Sequence, residues 1–401
     1  MATIADQVHE MQGLYGPFTL AERVVQKIWL RQDFETHTAR LVDGRKLEIR
    51  RTGTWNLLAG PDFRDARLLI GGQEIAGDVE VHFRATDWRA HGHETDPAYD
   101  GVVLHVVMFP PSDAQAVARS RQGGPLPTLV LLPLLNRGLE EYASDDALEI
   151  LTARDAAEKL AGLSGLPPDA MRGRLLARAR GRWEQKVRSA RLRIQKLGWT
   201  AAAHHVALEI LGYRHNRAPM LAVAARHPLA EWGGGLDVDA VYREHGAVWQ
   251  TQGVRPANHP HRRLRQYAVW VAHVPDWPQR VTGLFGGMAG PLDPDWESRS
   301  RRHLHLGQLR EKILVDVSGG TVGGTRLDNL VCDGLLPLVT AETGCDLLPV
   351  WFHWFVGDVP QEVRRGLVSL GLAGRDTGPQ RHGWAQGLLG WITERDAGAS
   401  G

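Results

Sequence analysis

The period of the apolar pattern changes once along this chain. In the first third, apolar residues alternate with polar ones or form short β-branched runs; beyond about Ala147 they recur every third or fourth position. Alternation marks half-buried strands and the longer period marks helices. Thr19-Leu20-Ala21-Glu22 reads as a capping box that opens a helix running to about Arg31, with Val25, Ile28 and Trp29 in one stripe. Glu22 and Gln26 lie one turn apart on a single face of it. Strands are expected at Lys46–Arg51, Asp65–Ile70 and Glu74–Phe83, the last two joined as a hairpin through Gly71-Gly72. Asp87 to Tyr99 is polar and turn-rich, Gly101–Phe109 has the pattern of a strand buried on both faces, and a further strand is expected near Pro127–Leu132. A helix, several strands and a buried strand predict an α/β (α+β) domain over residues 1–145.

The remainder, residues 146–401, reads as mainly helical, with a sub-boundary near 235–255. Its clearest element is Met171–Leu197, where Leu176, Trp183, Val187, Ala190, Ile194 and Leu197 make a narrow stripe among arginines and lysines, with Glu184 the only acid. Ala202–Leu211, ended by Gly212, and a segment from Arg217 to His227 form two more helices. Pro256-Ala257-Asn258-His259-Pro260 stops one element and starts another, His261 to Ala272. The Gly319–Gly324 segment lacks the Lys and following Ser or Thr of a phosphate-cradling loop, so it reads as a turn.

At 401 residues the chain is long enough for two or three domains. With 43% hydrophobic and 23% charged residues it has the composition of a folded globular protein. The start shows no basic segment followed by an apolar core, and no apolar run reaches membrane-spanning length; a cytoplasmic protein with no membrane partner is expected. Cys332 and Cys345 are too few for a structural cysteine cluster. A net charge of +1 advertises no polyanion partner, although the cations are mostly arginines, whose planar fork suits phosphate.

Chemistry concentrates between Asn56 and His105. Asp62 and Glu80 supply the hard oxygen ligands that Mg2+ or Mn2+ prefers, and strand alternation places Asp78, Glu80 and His82 on one face. Asp62, Glu80 and Asp78 are therefore candidate metal ligands, and His82, titrating near neutral pH, a candidate to orient or deprotonate water. Asp62 otherwise caps a turn after Gly60-Pro61, and Glu80 and His82 otherwise stand on a half-buried strand. His91, His93 and His105, with Asp62 or Glu80, form a competing scheme around Zn2+ or Mn2+. Trp88 and Tyr99 can stack on a base or pack the loop. On the helical side, Arg174, Arg178, Arg182, Lys186 and Arg193 line one helix, and Arg255, Asn258 and Arg262 follow; together they are candidates for a nucleic-acid backbone. No nucleophile elbow occurs, and neither cysteine lies near a histidine motif.

Gly60-Pro61-Asp62-Phe63, Gly77-Asp78-Val79-Glu80-Val81-His82, Asp87-Trp88, His91-Gly92-His93 and Leu104-His105-Val106-Val107 resemble the signature of the bacterial family DUF2851. Leu211-Gly212-Tyr213-Arg214-His215-Asn216 and Arg255-Pro256-Ala257-Asn258 are similar to it too. That family brings no activity with it. More distantly, the chain is similar to the PD-(D/E)XK nuclease superfamily, where a helix bearing a Glu precedes a small mixed sheet, one strand begins with a metal-binding Asp, and the next carries an acid, a spacer and a Lys. The resemblance implies a PD-(D/E)XK-like N-terminal domain in which Asp62 and Glu80 bind Mg2+ and Glu22 and Gln26 support them. His82 stands in the place of the Lys, and only Lys27 and Lys46 lie nearby to replace it. A Mg2+-dependent nuclease acting on DNA or RNA is the expectation. A nuclease-like binding protein without turnover and a Zn2+- or Mn2+-dependent hydrolase of a small substrate are its alternatives.

Overall fold

The structure, a computed structural model, describes residues 22–56, 59–111, 117–135, 139, 142, 160, 162–246, 249–251, 254–285, 301–359, 361–374 and 379–395. The chain divides into two compact units, with the division between Ala143 and Ser144. Thr19, the expected helix cap, lies outside the described residues.

Among the described residues, the N-terminal unit is a mixed sheet against which a helix packs. Helix α1 (Glu22–Arg31) is followed by strands β1 (Leu47–Arg51), β2 (Thr54–Trp55), β3 (Phe63–Ile70) and β4 (Gln73–His82). A short helix α2 (Asp87–Ala90) and a single 3-10 turn at Pro97–Tyr99 lead into β5 (Val102–Val107) and β6 (Thr128–Val130). The spatial order is β1-β3-β4-β5-β6, with β2 beside β3. β3 pairs antiparallel with β1, β2 and β4, whereas β4–β5 and β5–β6 are parallel. The β3–β4 hairpin turns through Gly71 and Gly72, both at positive φ (+59° and +89°), backbone that L side chains rarely adopt. Val24, Val25, Ile28 and Trp29 of α1 bury themselves against Phe63, Ala66, Leu68, Val79, Val81, Leu104 and Val106. Trp29 Nε1 also donates to the Thr52 carbonyl at 3.1 Å, which anchors the helix beside the β1–β2 turn.

Of three irregularities in the sheet, the one at Ile49–Arg51 lies on β1 and the other two shape the site. Between Phe63 and Ala66 the β3–β4 pairing slips, with Asp65 at φ +58°, so that Phe63 and Ala66 both reach the core. Opposite β5 the pairing slips again between Asp78 and Val79. Beyond that point Val79 and Val81 face the apolar core, and the alternation turns Glu80 and His82 away from it.

The second unit is helical. Its largest elements include α3 (Pro168–Leu197), α4 (Trp199–Leu211), α5 (Tyr213–Arg226), α6 (Pro260–His273) and α7 (His382–Arg395). α5 begins earlier than the Arg217 expected from periodicity, because a kink at Asn216 joins two helical pieces. The Asn216 side chain is fully buried and bonds both the N–H and the carbonyl of Gln250, at 3.0 and 2.9 Å. Among the described residues no helix is long and apolar enough to cross a membrane.

The cationic face expected on α3 is corrected at three of its five positions. Arg182, Lys186 and Arg193 are buried, not solvent-facing: Arg182 Nε donates to Gln386, Lys186 pairs with Asp333 at 3.2 Å and Arg193 with Glu209 at 2.7 Å. Buried cations demand partners, so these three side chains tie α3 to its neighbours, while Arg172, Arg180, Arg188 and Arg191 of the same helix stay exposed. Asn258 is buried as well, its Oδ1 accepting from Arg263 and Arg326. Arg174, Arg255 and Arg262 are exposed, and Arg178 is half-buried.

Candidate metal centre

The centre is assembled where α1, the start of β3, the end of β4 and the 87–99 loop meet β5. Asp62 opens β3 and Glu80 lies near the end of β4, and the two clasp each other through the backbone. The Asp62 N–H donates to Glu80 Oε2 at 3.0 Å, and the Val81 N–H donates to Asp62 Oδ2 at 3.1 Å. Gln26, one turn after Glu22 on α1, donates from Nε2 to the other oxygen of Asp62 at 2.8 Å. Among the described residues, no lysine or arginine neutralises either acid. Lys46, one of the two lysines near enough in sequence to serve, is spent on the surface against Glu48.

Burial without a cation shapes the protonation of this group. Burial pushes the Asp62 carboxyl up to about 8, with the charge of Glu80 adding to it. Glu80 is pushed up to about 8, also by burial. Glu22 rises to about 8 through burial and then through the fields of Asp62, Glu80 and Asp87. Three carboxyl groups in one field thus hold their protons near neutral pH.

The other oxygen of Glu80, Oε1, faces imidazoles: His93 Nε2 at 3.2 Å and His82 Nε2 at 3.4 Å. His82 is fully buried, bonded from Nδ1 to His105 Nε2 at 2.9 Å and approached at Nε2 by His91 Nδ1 at 3.2 Å. Burial and the neighbouring rings hold His82 at about 2 and His105 at about 3, and burial lowers His93. These rings are neutral, so their contacts with Glu80 join neutral groups and are not ion pairs. The expectation that His82 titrates near neutral pH is corrected: its burial makes it a fixed ring and not an exposed proton shuttle.

The loop that carries His91 and His93 is firmly held. Asp87 Oδ2 accepts from the Arg84 N–H, the His93 N–H returns to the Trp88 carbonyl, and Trp88 Nε1 donates to the Arg119 carbonyl at 2.9 Å. Gly92, at φ +76°, reverses the backbone between the two histidines, which turns both rings toward His82. Asp96 caps the 3-10 turn by accepting from the Ala98 N–H, and that turn lays Tyr99 on His93 with ring centroids 3.7 Å apart. Trp88 and Tyr99 are thereby packing partners of the imidazoles.

The structure brings together Glu22, Gln26, Asp62, Glu80, His82, His91, His93 and His105. Asp78 stands apart. Its Oδ1 accepts from the N–H of Asp65 at 3.2 Å, so it secures the irregular turn of β3 and touches neither Asp62 nor Glu80. Sequence reasoning missed the backbone N–H groups of Asp62 and Val81, which no side-chain pattern could have signalled.

Residues 22–233 match the family described as Protein of unknown function (DUF2851). The chain belongs to that family. The match contains every residue of the centre and ends before Arg255-Pro256-Ala257-Asn258. No curated protein and no solved structure matches the chain.

Proposed function

We propose that this DUF2851 protein is a metal-dependent phosphodiester hydrolase of nuclease type, acting on DNA or RNA through Asp62 and Glu80. The observation that carries the reading is the pair itself: a half-buried Asp62 just before β3 and a buried Glu80 on β4, bonded to the N–H groups of Val81 and Asp62 respectively, with no lysine or arginine against either among the described residues. Such a donor set fits Mg2+ or Mn2+, whose charge would replace the protons that burial now keeps on both acids. The order of elements supports the same reading. A helix bearing Glu22 and Gln26, an Asp at the start of one strand and an acid-X-His tripeptide on the next resemble the PD-(D/E)XK arrangement, with His82 in place of Lys.

A divalent ion bound there would neutralise charge at phosphorus and acidify a coordinated water. Asp62 and Glu80 would hold it. Gln26 fixes the rotation of Asp62 through its 2.8 Å bond. His82, bonded on both ring nitrogens, braces Glu80. Glu22, which burial and the neighbouring acids keep protonated near neutral pH, could take a proton from water only after a bound ion had displaced its own. Arg174, Arg255 and Arg262 are among the exposed cations that a nucleic-acid backbone could meet.

The test is incubation of the full-length protein with mixed single- and double-stranded DNA and RNA, with Mg2+, Mn2+ or chelator. Cleavage that needs the ion and disappears in Asp62→Asn and Glu80→Gln is the expected result. Gel shifts without cleavage under any divalent ion would sink the catalytic reading in favour of a binding protein.

A further inference from the structure

The imidazoles around Glu80 Oε1 are more numerous than the reading above uses. His82, His91 and His93 each bring one ring nitrogen into a group whose members lie within 4.8 Å of one another. Three separations are shorter. Glu80 Oε1 stands 3.4 Å from His82 Nε2 and 3.2 Å from His93 Nε2, and His82 Nε2 stands 3.2 Å from His91 Nδ1. Ligands ~2.0–2.1 Å from a tetrahedral ion lie ~3.3 Å from each other along every edge. These contacts already have that edge length.

Hydrogen bonding alone satisfies this group poorly. His82 Nε2 faces both Glu80 Oε1 and His91 Nδ1, yet a ring nitrogen carries one proton and can donate it to one of them. A cation at the centre serves all the lone pairs at once. We infer that Glu80 Oε1, His82 Nε2, His91 Nδ1 and His93 Nε2 form a site for a transition-metal ion of the zinc class.

The surroundings are those of a built site. Metal on His82 Nε2 requires the ring proton on Nδ1, and there His105 Nε2 stands at 2.9 Å to accept it. Tyr99 and Trp88 pack on the His93 ring and fix its plane. His91 is exposed, on the loop that Gly92 reverses, which leaves an approach from solvent. The chemistry separates this site from the Asp62 side of Glu80: imidazole nitrogen suits Zn2+ and the Co2+ that can replace it, whereas Mg2+ prefers oxygen and keeps its waters. The site does not depend on phosphodiester cleavage, since a protein that cuts nothing can still hold the ion.

The test uses chelator-stripped full-length protein titrated with Co2+ and then Zn2+. Expected are intense visible d–d bands of tetrahedral cobalt at one equivalent, displaced by one equivalent of Zn2+ and untouched by a large excess of Mg2+. His91→Ala and His93→Ala, each with an unchanged circular-dichroism spectrum, should lose the bands and bind Zn2+ more weakly by over ~100-fold, beyond the loss typical of an outer partner. Asp62→Asn should keep the bands while abolishing any Mg2+-dependent cleavage, which separates this inference from the nuclease reading. Should His93→Ala fail to fold, the exposed His91 position decides alone. Weak octahedral-type absorption, displacement by Mg2+, or unaltered Zn2+ affinity in His91→Ala overturns the site.

Discussion

Asp62 and Glu80 hold each other through their backbones: the N–H of Asp62 bonds Glu80 Oε2, and the N–H next to Glu80, that of Val81, bonds Asp62 Oδ2. Neighbouring strands thus fix two acids in each other's field by hydrogen bonds that any carbonyl-type oxygen could accept. Geometry and charge are therefore separable, and substitution can remove one without the other.

Asp62→Asn keeps one acceptor, for the Val81 N–H, and presents its NH2 to Gln26, which pairs with it by turning its own amide oxygen inward, while one ionisable group is removed from the pair. We expect it to stabilise the metal-free protein by ~1 kcal/mol or more at about pH 8, because functional sites hold unfavourable charge that stability alone would discard. Asp62→Ala leaves the Val81 N–H and the Gln26 amide without an acceptor and should cost ~1–3 kcal/mol. Urea unfolding of the chelator-treated variants checks both; Asn less stable than Ala would contradict the account.

Stability of the metal-free protein should peak on the acid side of neutrality. The folded pKa values of Glu22, Asp62 and Glu80 are raised from 4.5, 3.8 and 4.5 to about 8, so the native state binds the extra protons and stability falls as pH rises toward 8. His82 and His105 are lowered from 6.5 to about 2 and about 3, so the unfolded state binds the extra protons there and stability rises with pH up to 6.5. Above 6.5 only the acids still act, and below 3.8 only the imidazoles. Denaturant melts in chelator should show stability declining between pH 6.5 and about 8, and a saturating divalent ion should abolish that decline. A rise over that interval in chelator would refute the assignment.

Gly77→Ala should damage the centre from a distance. A methyl group there would sit 2.4 Å from Val103 Cγ1 and 2.8 Å from the Gly101 carbonyl, at the join of β4 and β5. Overpacking of this kind costs ~1–3 kcal/mol. The urea midpoint should fall accordingly, and Co2+ binding should weaken, because Glu80 and His105 are register partners across that same join.

Exposed and buried arginines should part company in binding assays. Arg193→Met removes one member of a buried 2.7 Å pair with Glu209 and should cost ~3–5 kcal/mol, so any loss of nucleic-acid retention there reports unfolding. Arg262→Gln, on the surface, should change stability by no more than ~0.5 kcal/mol while lowering the salt sensitivity of retention. Retention that is equal to wild type in Arg255→Gln/Arg262→Gln would remove this face from the nucleic-acid proposal.

Much of the N-terminal sheet was legible because its signals are local. Alternation placed five of the six strands to within two residues and missed only the two-residue β2, Gly71-Gly72 marked the hairpin, and the same alternation set Val79 and Val81 against Glu80 and His82. What failed is non-local. Asp78 follows the two-residue period, but the slip before Val79, invisible in the pattern, gives it to Asp65. The burial of His82 comes from β5 and from the 87–99 loop, which a reading of β4 alone does not contain. On α3 the apolar residues suggested a narrow stripe, yet Arg182 finds its partner Gln386 more than two hundred positions later, and such pairing widens the buried face.

The parallel joint between β4 and β5 gives the centre an order of birth. A hairpin such as β3–β4 closes through a two-residue turn and needs nothing from downstream, whereas Glu80 meets His105 only after the intervening crossover has folded back. A nascent chain thus owns the acids and His82 before it owns the other imidazoles. An ion bound between them, as proposed, would act as a late clasp on the crossover and slow its reopening.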